Sequence, residues 1–238
     1  MPADDLLARC TFAEPGTPVV CALSGGPDSS ALVALAVRAG LDVTAIHVHH
    51  GLRSSADDDA AAAQRIAAHL GVSFDRVHVD LDDGANLEAR ARQARRDALG
   101  PDALTGHTAD DQAETVLLAL LRGAGATGLA AMRPGPTHPI LGLRRAETHA
   151  LCDALGLHPA VDPTNADARF RRNRVRAALL PLAEAIAFSK ANITEGLLML
   201  PHSPSTSRVS SSRKGNTPSR ASITSRPPEW ASTRSGSA

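Results

Sequence analysis

Several residue types are scarce in this sequence of 238 residues, and each scarcity excludes a class of protein. Tyr is absent and aromatic residues make up 2%, so the 43% hydrophobic fraction consists mostly of Ala, Leu and Val. No apolar run approaches the roughly 20 residues of a membrane span. Cys10, Cys21 and Cys152 are odd in number and form no CxxC pair, which argues against a disulfide framework, a structural zinc site or a redox motif. The acidic N-terminus has no basic flank before an apolar stretch, so we expect no secretory signal and a reducing cytoplasm.

Lysine is absent from residues 1–187, which hold 18 Arg, 23 acidic residues and six Ser. Residues 188–238 differ sharply, with seven basic and two acidic residues and 13 Ser. The composition excludes collagen-like and fully disordered proteins, and the length suits one α/β domain with an extension or two small domains. We predict a folded domain over 1–187 and a low-complexity Ser/Arg-rich tail over 188–238 that is disordered or non-native, as after a shifted reading frame. Contact of the basic tail with an RNA backbone is the alternative.

Short apolar runs alternate along the folded domain with segments of helical pattern. This alternation predicts an α/β fold with a parallel sheet and right-handed crossovers, in which ligands bind at the carboxyl ends of the strands. Strands are predicted at residues 18–23, 43–49, 73–79 and 103–106. Helices are predicted at residues 29–39, 56–70, 86–99, 110–121, 145–155 and 174–187.

A Gly-rich segment, SGGPDSS at residues 24–30, connects the first predicted strand to the first predicted helix and is called the phosphate loop here. Its glycines let the backbone approach an anion, and its proline suits the first turn of a helix. The free N–H groups and the positive helix end would then face a phosphate. The residues predicted to bind it are Ser24, Gly25, Gly26, Pro27, Asp28 and Ser29. The alternative is an ordinary Gly-Pro turn with a Ser/Asp cap; neither a Walker loop nor GxGxxG is present.

Further motifs follow the phosphate loop in a fixed order. They are HVHHGLR at 47–53, NLEARAR at 86–92, TGHTADDQAET at 105–115 with Arg122-Gly123 after it, DPTN at 162–165, and RRNRVR at 171–176 with Pro181. The S-G-G-x-D-S pattern is typical of the PP-loop, or N-type, ATP pyrophosphatases. Together with the other motifs, the sequence over about residues 18–186 resembles the catalytic domain of the tRNA(Ile)-lysidine synthase family.

The resemblance implies a Rossmann-like, doubly wound parallel sheet of the PP-loop ATPase type, and chemistry on tRNA. Position 2 of the wobble cytidine in a CAU anticodon would be adenylated by ATP, with release of pyrophosphate. The amine of free lysine would then displace AMP, giving lysidine. ATP and Mg²⁺ are the implied cofactors, and tRNA(Ile) and free L-lysine are the implied partners. We also expect no membrane contact, a cytoplasmic location and a dimeric state.

Three carboxylates and a histidine follow the fourth predicted strand. Asp110 and Glu114 are four residues apart and share a helix face, while Asp111 lies on the neighbouring stripe. Like charges at this spacing repel, so we expect a cation nearby, supplied by a lysine ammonium or Mg²⁺. From the resemblance we assign Asp110, Asp111 and Glu114, called the acidic cluster here, to catalysis and lysine binding, with any of them as the base, and His107 to ATP binding. The alternative for some of these carboxylates is complementing the helix dipole.

Asp28 is assigned to catalysis, positioning pyrophosphate through Mg²⁺, and a helix cap is its alternative role. His50 and Arg53 are assigned to the nucleotide because, in the family, their loop borders the adenosine. An ordinary loop with a hydrogen-bonded histidine is the alternative. The HxHH pattern does not indicate a metal site, since no carboxylate or fourth ligand lies at the usual spacing.

Five arginines occur within eight residues from Arg169 to Arg176, in an otherwise acidic domain. We predict that this cluster contacts phosphates of ATP or of the anticodon stem, rather than forming an ordinary surface helix start. The residues assigned to phosphate or tRNA contact are Arg122, Arg171, Arg172, Asn173, Arg174 and Arg176.

Two other kinds of function compete with the synthase. A thiolase-like tRNA sulfur inserter of the same superfamily usually needs paired cysteines, and an amidotransferase-type relative would add an ammonia-handling domain; neither feature occurs here. A non-catalytic fragment that binds ATP or RNA is the second alternative, because the resemblance stops near Leu182 while many lysidine synthases continue with modules that grip the tRNA.

Overall fold

Three parallel strands form the sheet around which the helices are arranged. They are β1 (Pro18–Ala22), β2 (Asp42–His49) and β3 (Ser73–His78), paired in the order β1-β2-β3. This is seen in a computed structural model that describes residues 3–49, 56–79, 87–160 and 171–187. The predicted tail at 188–238 lies outside the described residues.

Helices follow each strand, as the alternating pattern predicts. They are α1 (Ala3–Leu7), α2 (Pro27–Arg38), α3 (Ala56–Leu70), α4 (Leu87–Leu99), α5 (Ala109–Leu121), α6 (Ala126–Leu129), α7 (Arg145–Ala154), α8 (Arg171–Arg174) and α9 (Leu180–Ala187). A π-helical segment, Val175–Leu179, joins α8 to α9. The short α1 and α6 were not predicted, because four or five residues are too few to display a helical period. None of the helices in the described part has both the length and the apolar character that a membrane span requires.

The sheet register places β2 between β1 and β3. Val20 pairs with Thr44 of β2, and Ile46 of β2 pairs in turn with Asp75 of β3. On the other side of β1, Cys21 forms a single parallel bridge with Leu104. The fourth strand predicted at 103–106 is therefore reduced to one bridge. The prediction of a parallel, Rossmann-like α/β fold is confirmed.

Helix α2 forms the centre of the core, since its residues from Ser29 to Ala36 are all buried. It contacts β1, β2, α3 and α7. Leu32 and Leu35 on this helix are almost completely inaccessible, as is Leu143, which precedes α7. A helix buried on every side in this way holds its N-terminus, and the phosphate loop before it, in a fixed position.

Two glycines allow close backbone approaches around the phosphate loop. Gly25 has φ +93°, and a Cβ there would lie 2.6 Å from the carbonyl oxygen of Asp59 in α3. A Cβ on Gly106 would lie 2.8 Å from the carbonyl oxygen of Asp28. Both distances are too short for any larger residue, so the glycines bring α3 and the segment before α5 against the phosphate loop.

Candidate active site

The phosphate loop turns sharply from β1 into α2, which begins at Pro27 after an extended Gly26. The Ser29 hydroxyl donates to the Gly26 carbonyl oxygen at 2.9 Å and accepts from the Ser24 backbone N–H at 3.2 Å. The Ser30 hydroxyl donates to the same Gly26 carbonyl at 2.8 Å. These bonds fix the turn from within, while the helix start has no side-chain cap. A helix N-terminus of this kind is a favourable position for an anion.

Asp28 lies in the first turn of α2, with its side chain 22% exposed. The Thr148 hydroxyl donates to its Oδ1, and the Arg145 Nε lies 3.3 Å from its Oδ2. Burial raises the pKa of Asp28, against the opposing influence of Thr148 and Arg145. The predicted catalytic carboxylate is thus held by two residues of α7 that the sequence analysis did not single out.

The N-terminus of α5 carries the acidic cluster. Asp111 caps its own helix, because its Oδ2 accepts from the Thr108 N–H at 2.9 Å and from the Thr108 hydroxyl at 3.0 Å. Asp110 caps a different helix, since its Oδ2 accepts from the backbone N–H of Arg145 at 2.8 Å, where α7 begins. Glu114 is completely buried. The first two carboxylates therefore have a structural role in addition to the chemical role predicted for them.

Arg145 connects the phosphate loop to the acidic cluster. Besides the Nε contact with Asp28, its Nη2 donates to Asp111 Oδ1 at 2.9 Å and its Nη1 to Glu114 Oε1 at 3.2 Å. With the backbone bond to Asp110, one residue contacts all four carboxylates that were predicted to be catalytic. The guanidinium fork has the geometry for several carboxylates at once, which the point charge of a lysine lacks.

Two further arginines bind Glu114 from the C-terminal side. Arg172 Nε donates to Glu114 Oε2 at 2.7 Å, and Arg176 donates from Nε to Oε1 at 2.6 Å and from Nη2 to Oε2 at 3.2 Å. The cation expected beside the acidic cluster is therefore present in the chain itself. Binding of a lysine ammonium or Mg²⁺ beside the acidic cluster stays a prediction.

The charges of this site almost balance. Its carboxylates are Asp28, Asp110, Asp111 and Glu114, and its guanidiniums are those of Arg145, Arg172 and Arg176. With every carboxylate ionised, four negative charges meet three positive ones. Among these seven described residues, one negative charge is left over.

The protonation states of the site follow from burial and these contacts. Burial favours the neutral form of Glu114, but hydrogen bonds from Arg176 and Arg172 and the charge of Arg145 hold its pKa below the usual value. The pKa of Asp111 is also lowered, because Arg145 and the Thr108 N–H outweigh burial. Both carboxylates are consequently ionised at neutral pH.

His107 lies next to the acidic cluster. Its Nδ1 is 2.9 Å from the Thr105 hydroxyl, and its ring centroid is 5.2 Å from that of His138. Burial lowers the pKa of His107 to about 4, although the charge of Asp111 opposes the shift. The imidazole is therefore neutral at physiological pH.

Folding stability should fall as the pH is lowered from about 6.5 towards 4, because the unfolded chain takes up a proton on His107 that the folded chain excludes. The limiting contribution is about 3 kcal/mol from a pKa of about 4 against the ordinary 6.5. Urea unfolding at pH 7 and pH 4.5 should show a smaller loss for His107→Asn than for the unsubstituted chain. Equal losses would contradict a neutral, buried His107.

The two histidines of β2 differ in their contacts, because the His47 ring is hydrogen-bonded whereas His49 Nε2 is buried without a hydrogen-bond partner. His47 Nδ1 donates to the Leu23 carbonyl oxygen at 2.9 Å. His49 Nε2 lies 3.4 Å from Asp57 Oδ1, and its ring centroid is 4.7 Å from that of His78. Across the described ranges, no group of three His, Cys, Asp or Glu side chains could hold a metal ion.

Some predicted residues lie outside the described residues. They include His50 and Arg53, assigned to ATP, and the DPTN motif at 162–165. The Ala160 N–H donates to the Gly25 carbonyl oxygen at 2.8 Å, so the chain just before this motif lies against the phosphate loop. The ATP-binding assignments of His50 and Arg53 stay predictions.

The residues assigned to phosphate or tRNA contact occupy two different places. Arg172 and Arg176 are bound to Glu114, as described above. Arg122, Arg171 and Arg174 are exposed instead and line a groove at the end of α5. The assignment of the set, including Asn173, to phosphates stays a prediction.

Comparison with known proteins identifies the fold and its loop. A profile described as the PP-loop domain matches residues 5–183. The chain belongs to the PP-loop family.

A tRNA(Ile)-lysidine synthase of Nocardia farcinica is 49% identical over 177 residues, which are 71% of this chain and 56% of the relative. One of Pseudomonas syringae pv. tomato is 44% identical over 181 residues, covering 68% and 41% of the two chains. The resemblance found in the sequence is confirmed, and this PP-loop chain spans about half the length of the curated relatives that it matches.

Solved structures resemble this PP-loop chain in fold alone. The U34-tRNA thiolase NcsA from Methanococcus maripaludis, with its [4Fe-4S] cluster, superposes with a TM-score of 0.65 at 17% identity, covering 82% of this chain and 75% of NcsA. The NMN synthetase of Francisella tularensis gives a TM-score of 0.50 at 14% identity, covering 85% and 97%. At these identities the similarity extends to the arrangement of strands and helices and not to the chemistry.

Arg145 and Thr148 are the residues of the site that sequence reasoning missed. The only local signal was an arginine in the first turn of a predicted helix, where the helix dipole disfavours a cation. The structure supplies the reason, since the acidic cluster of α5 faces that turn.

Proposed function

We propose that the chain catalyses the ATP-dependent ligation of free lysine to the wobble cytidine of the CAU anticodon of tRNA(Ile), giving lysidine, AMP and pyrophosphate. Relatives at 43–49% identity bear the name of this enzyme. The observation that carries the proposal is the connection through Arg145, which joins the phosphate-loop Asp28 to Asp111 and Glu114. Activation by ATP and attack by an amine need adjoining sites of these two kinds.

In the first step, the oxygen at position 2 of the cytidine attacks the α-phosphorus of ATP and pyrophosphate leaves. The start of α2 offers backbone N–H groups and a positive helix end to the departing charge. Mg²⁺ in nucleotide enzymes is usually held by one or two carboxylates together with phosphates, and Asp28 in the phosphate loop fits that requirement. The ion would neutralise charge on the phosphates when bound.

In the second step, the lysine amine attacks carbon 2 of the adenylated cytidine and AMP leaves with the oxygen. Asp28 and the acidic cluster together have one more carboxylate than the three guanidiniums that bind them, which favours the ammonium of free lysine at this site. The amine must lose a proton before attack, and a carboxylate of the acidic cluster accepts it. Holding the amine next to the phosphate loop supplies the proximity that the transfer requires.

Transfer of labelled lysine to an RNA hairpin tests the proposal. The full chain is incubated with ATP, Mg²⁺, labelled L-lysine and a CAU anticodon stem-loop. We expect label in the RNA that depends on ATP, and none in a matched UAU stem-loop that lacks the target cytidine. Absence of label from the CAU stem-loop, with the chain shown to be folded by circular dichroism, would contradict the proposal.

A second candidate is a domain that binds ATP or RNA without turnover. It is favoured by one observation, that the chain spans about half the length of its curated relatives. ATP or RNA binding without lysine transfer would support it. A cytoplasmic location follows from the substrates proposed, and a dimer stays a prediction.

Another PP-loop tRNA-modifying enzyme, such as a thiolase, is less well supported by the cysteines. Burial raises the pKa of Cys21 and Cys152 to about 12 and that of Cys10 to about 11. A sulfur-transferring or cluster-binding cysteine needs its thiolate form.

A further inference from the structure

The helix that opens at Arg171 divides its arginines between two faces. On the inner face, Arg172 and Arg176 bind the buried Glu114 at 2.7 and 2.6 Å. Arg171 and Arg174 point away from it and are exposed. Residues three or four positions apart lie on the same face of a helix, so Arg171 shares one face with Arg174 and Arg172 shares the other with Arg176. The arginines predicted to contact phosphate therefore lie in two different environments.

The outer face borders an open groove. Its volume is about 350 Å³, and it lies between the end of α5 and the segment that follows α8. It is lined by Leu118, Leu121, Arg122, Arg171, Arg174, Val175 and Leu179. Leu121 is 67% exposed. Four aliphatic side chains and three arginines thus line the same groove.

The three arginines of the groove differ in their contacts from those of the active site. Within the described ranges, Arg122, Arg171 and Arg174 form no ion pair or side-chain hydrogen bond, whereas the guanidiniums of the active site each bind carboxylates. Acidic residues outnumber basic ones over residues 1–187, so three arginines around one groove form a local concentration of positive charge. An anionic ligand would supply the missing charge.

A nucleotide has the chemistry that this groove would accept. Its phosphate is matched by guanidiniums, which bind phosphates through two parallel hydrogen bonds. Its base is a flat, weakly polar surface that can pack on aliphatic side chains or on a guanidinium plane. The volume is at the lower end of the roughly 300–1,000 Å³ of ligand sites, which suits one nucleotide rather than a folded partner.

We propose that this groove binds RNA, taking one unpaired nucleotide outside the target cytidine, with Arg122, Arg171 and Arg174 on the flanking phosphates. Arg172 and Arg176 remain on Glu114 and do not contact RNA. The inference rests on the proposed function, which makes RNA the substrate. It deepens that function by dividing the arginine cluster into an RNA-binding face and a face that holds the active site.

Titration of a fluorescent CAU stem-loop with the full chain tests this division. The groove variant is Arg171→Gln with Arg174→Gln, and the matched control is Arg65→Gln with Arg133→Gln. Both control residues are exposed and lie outside the groove. We expect the groove variant to lose about tenfold or more in RNA affinity at low salt, while the control keeps the unsubstituted affinity. The slope of log affinity against log salt should fall by roughly 0.7 for each lost phosphate contact.

Each outcome of the titration decides one way. Equal RNA affinity of the groove variant and the unsubstituted chain, or an equal loss in the control, would overturn the inference and leave the proposed function standing. Failure of the unsubstituted chain to bind the stem-loop would overturn both. If Leu121→Ser changed the mass of the chain in light scattering while RNA affinity stayed constant, the groove would be a protein-binding surface and the inference wrong. ATP binding of the groove variant should be unchanged, since neither arginine contacts the phosphate loop.

Discussion

Replacement of Asp28 by Asn should abolish both pyrophosphate exchange and lysine transfer, lowering each rate on the order of a hundredfold to a thousandfold. The amide keeps the size of the side chain and can still accept from Thr148, so the fold should persist. What it removes is the negative charge that Arg145 faces at 3.3 Å and that would hold Mg²⁺ against the phosphates. ATP–pyrophosphate exchange and lysine transfer are measured on the same preparation.

Asp153→Asn is the matched control for this prediction. Asp153 is exposed near the end of α7, so its replacement removes the same negative charge at a place away from the site. Its variant should retain the activity of the unsubstituted chain. If the Asp28→Asn protein is folded and keeps activity within tenfold of the unsubstituted chain, Asp28 is not a catalytic residue.

Replacement of Arg145 by Ala should have an effect of similar size on both partial reactions. The substitution leaves Asp28, Asp111 and Glu114 without the guanidinium that they share, although Arg172 and Arg176 still bind Glu114. Repulsion between the freed carboxylates should widen the site and also lower the unfolding temperature. We expect a loss of about a hundredfold or more in lysine transfer.

Guanidinium ion at concentrations well below denaturation should restore part of this activity, because it can occupy the space left by the deleted side chain. Arg145→Lys should remain impaired, since one ammonium cannot reproduce three separate contacts. Arg65→Ala, on the exposed face of α3, is the control and should neither lose activity nor respond to guanidinium. Full activity of Arg145→Lys, or an Arg145→Ala variant as active as the control, would contradict the positioning role of Arg145.

The parts of the site that depend on local sequence could be predicted. The phosphate loop follows from glycines, a proline and serines within seven residues, and the structure confirms the strand before it and the helix after it. The repulsion between Asp110 and Glu114 also predicted correctly that a cation lies beside them. In both cases the physical requirement is contained within one or two helical turns.

The parts that depend on distant contacts could not be predicted. Arg145 meets Glu114 across 31 positions and Asp28 across 117, and no periodicity in the sequence encodes such a contact. The helix predicted from residue 174 begins at Arg171, so the faces of its arginines were not predicted either. The prediction of a fourth strand was wrong for a related reason, because only Leu104 of the predicted segment pairs with β1.

Cytidine-dependent ATP–pyrophosphate exchange is the most direct test of the central claim, that the phosphate loop and the acidic cluster form one adenylating site joined by Arg145. The full chain is incubated with ATP, Mg²⁺ and labelled pyrophosphate, with the CAU stem-loop, the UAU stem-loop or no RNA. We expect label in ATP only when the CAU stem-loop is present, and before any lysine is added. A folded chain whose exchange is absent, or is equal with all three additions, would contradict it.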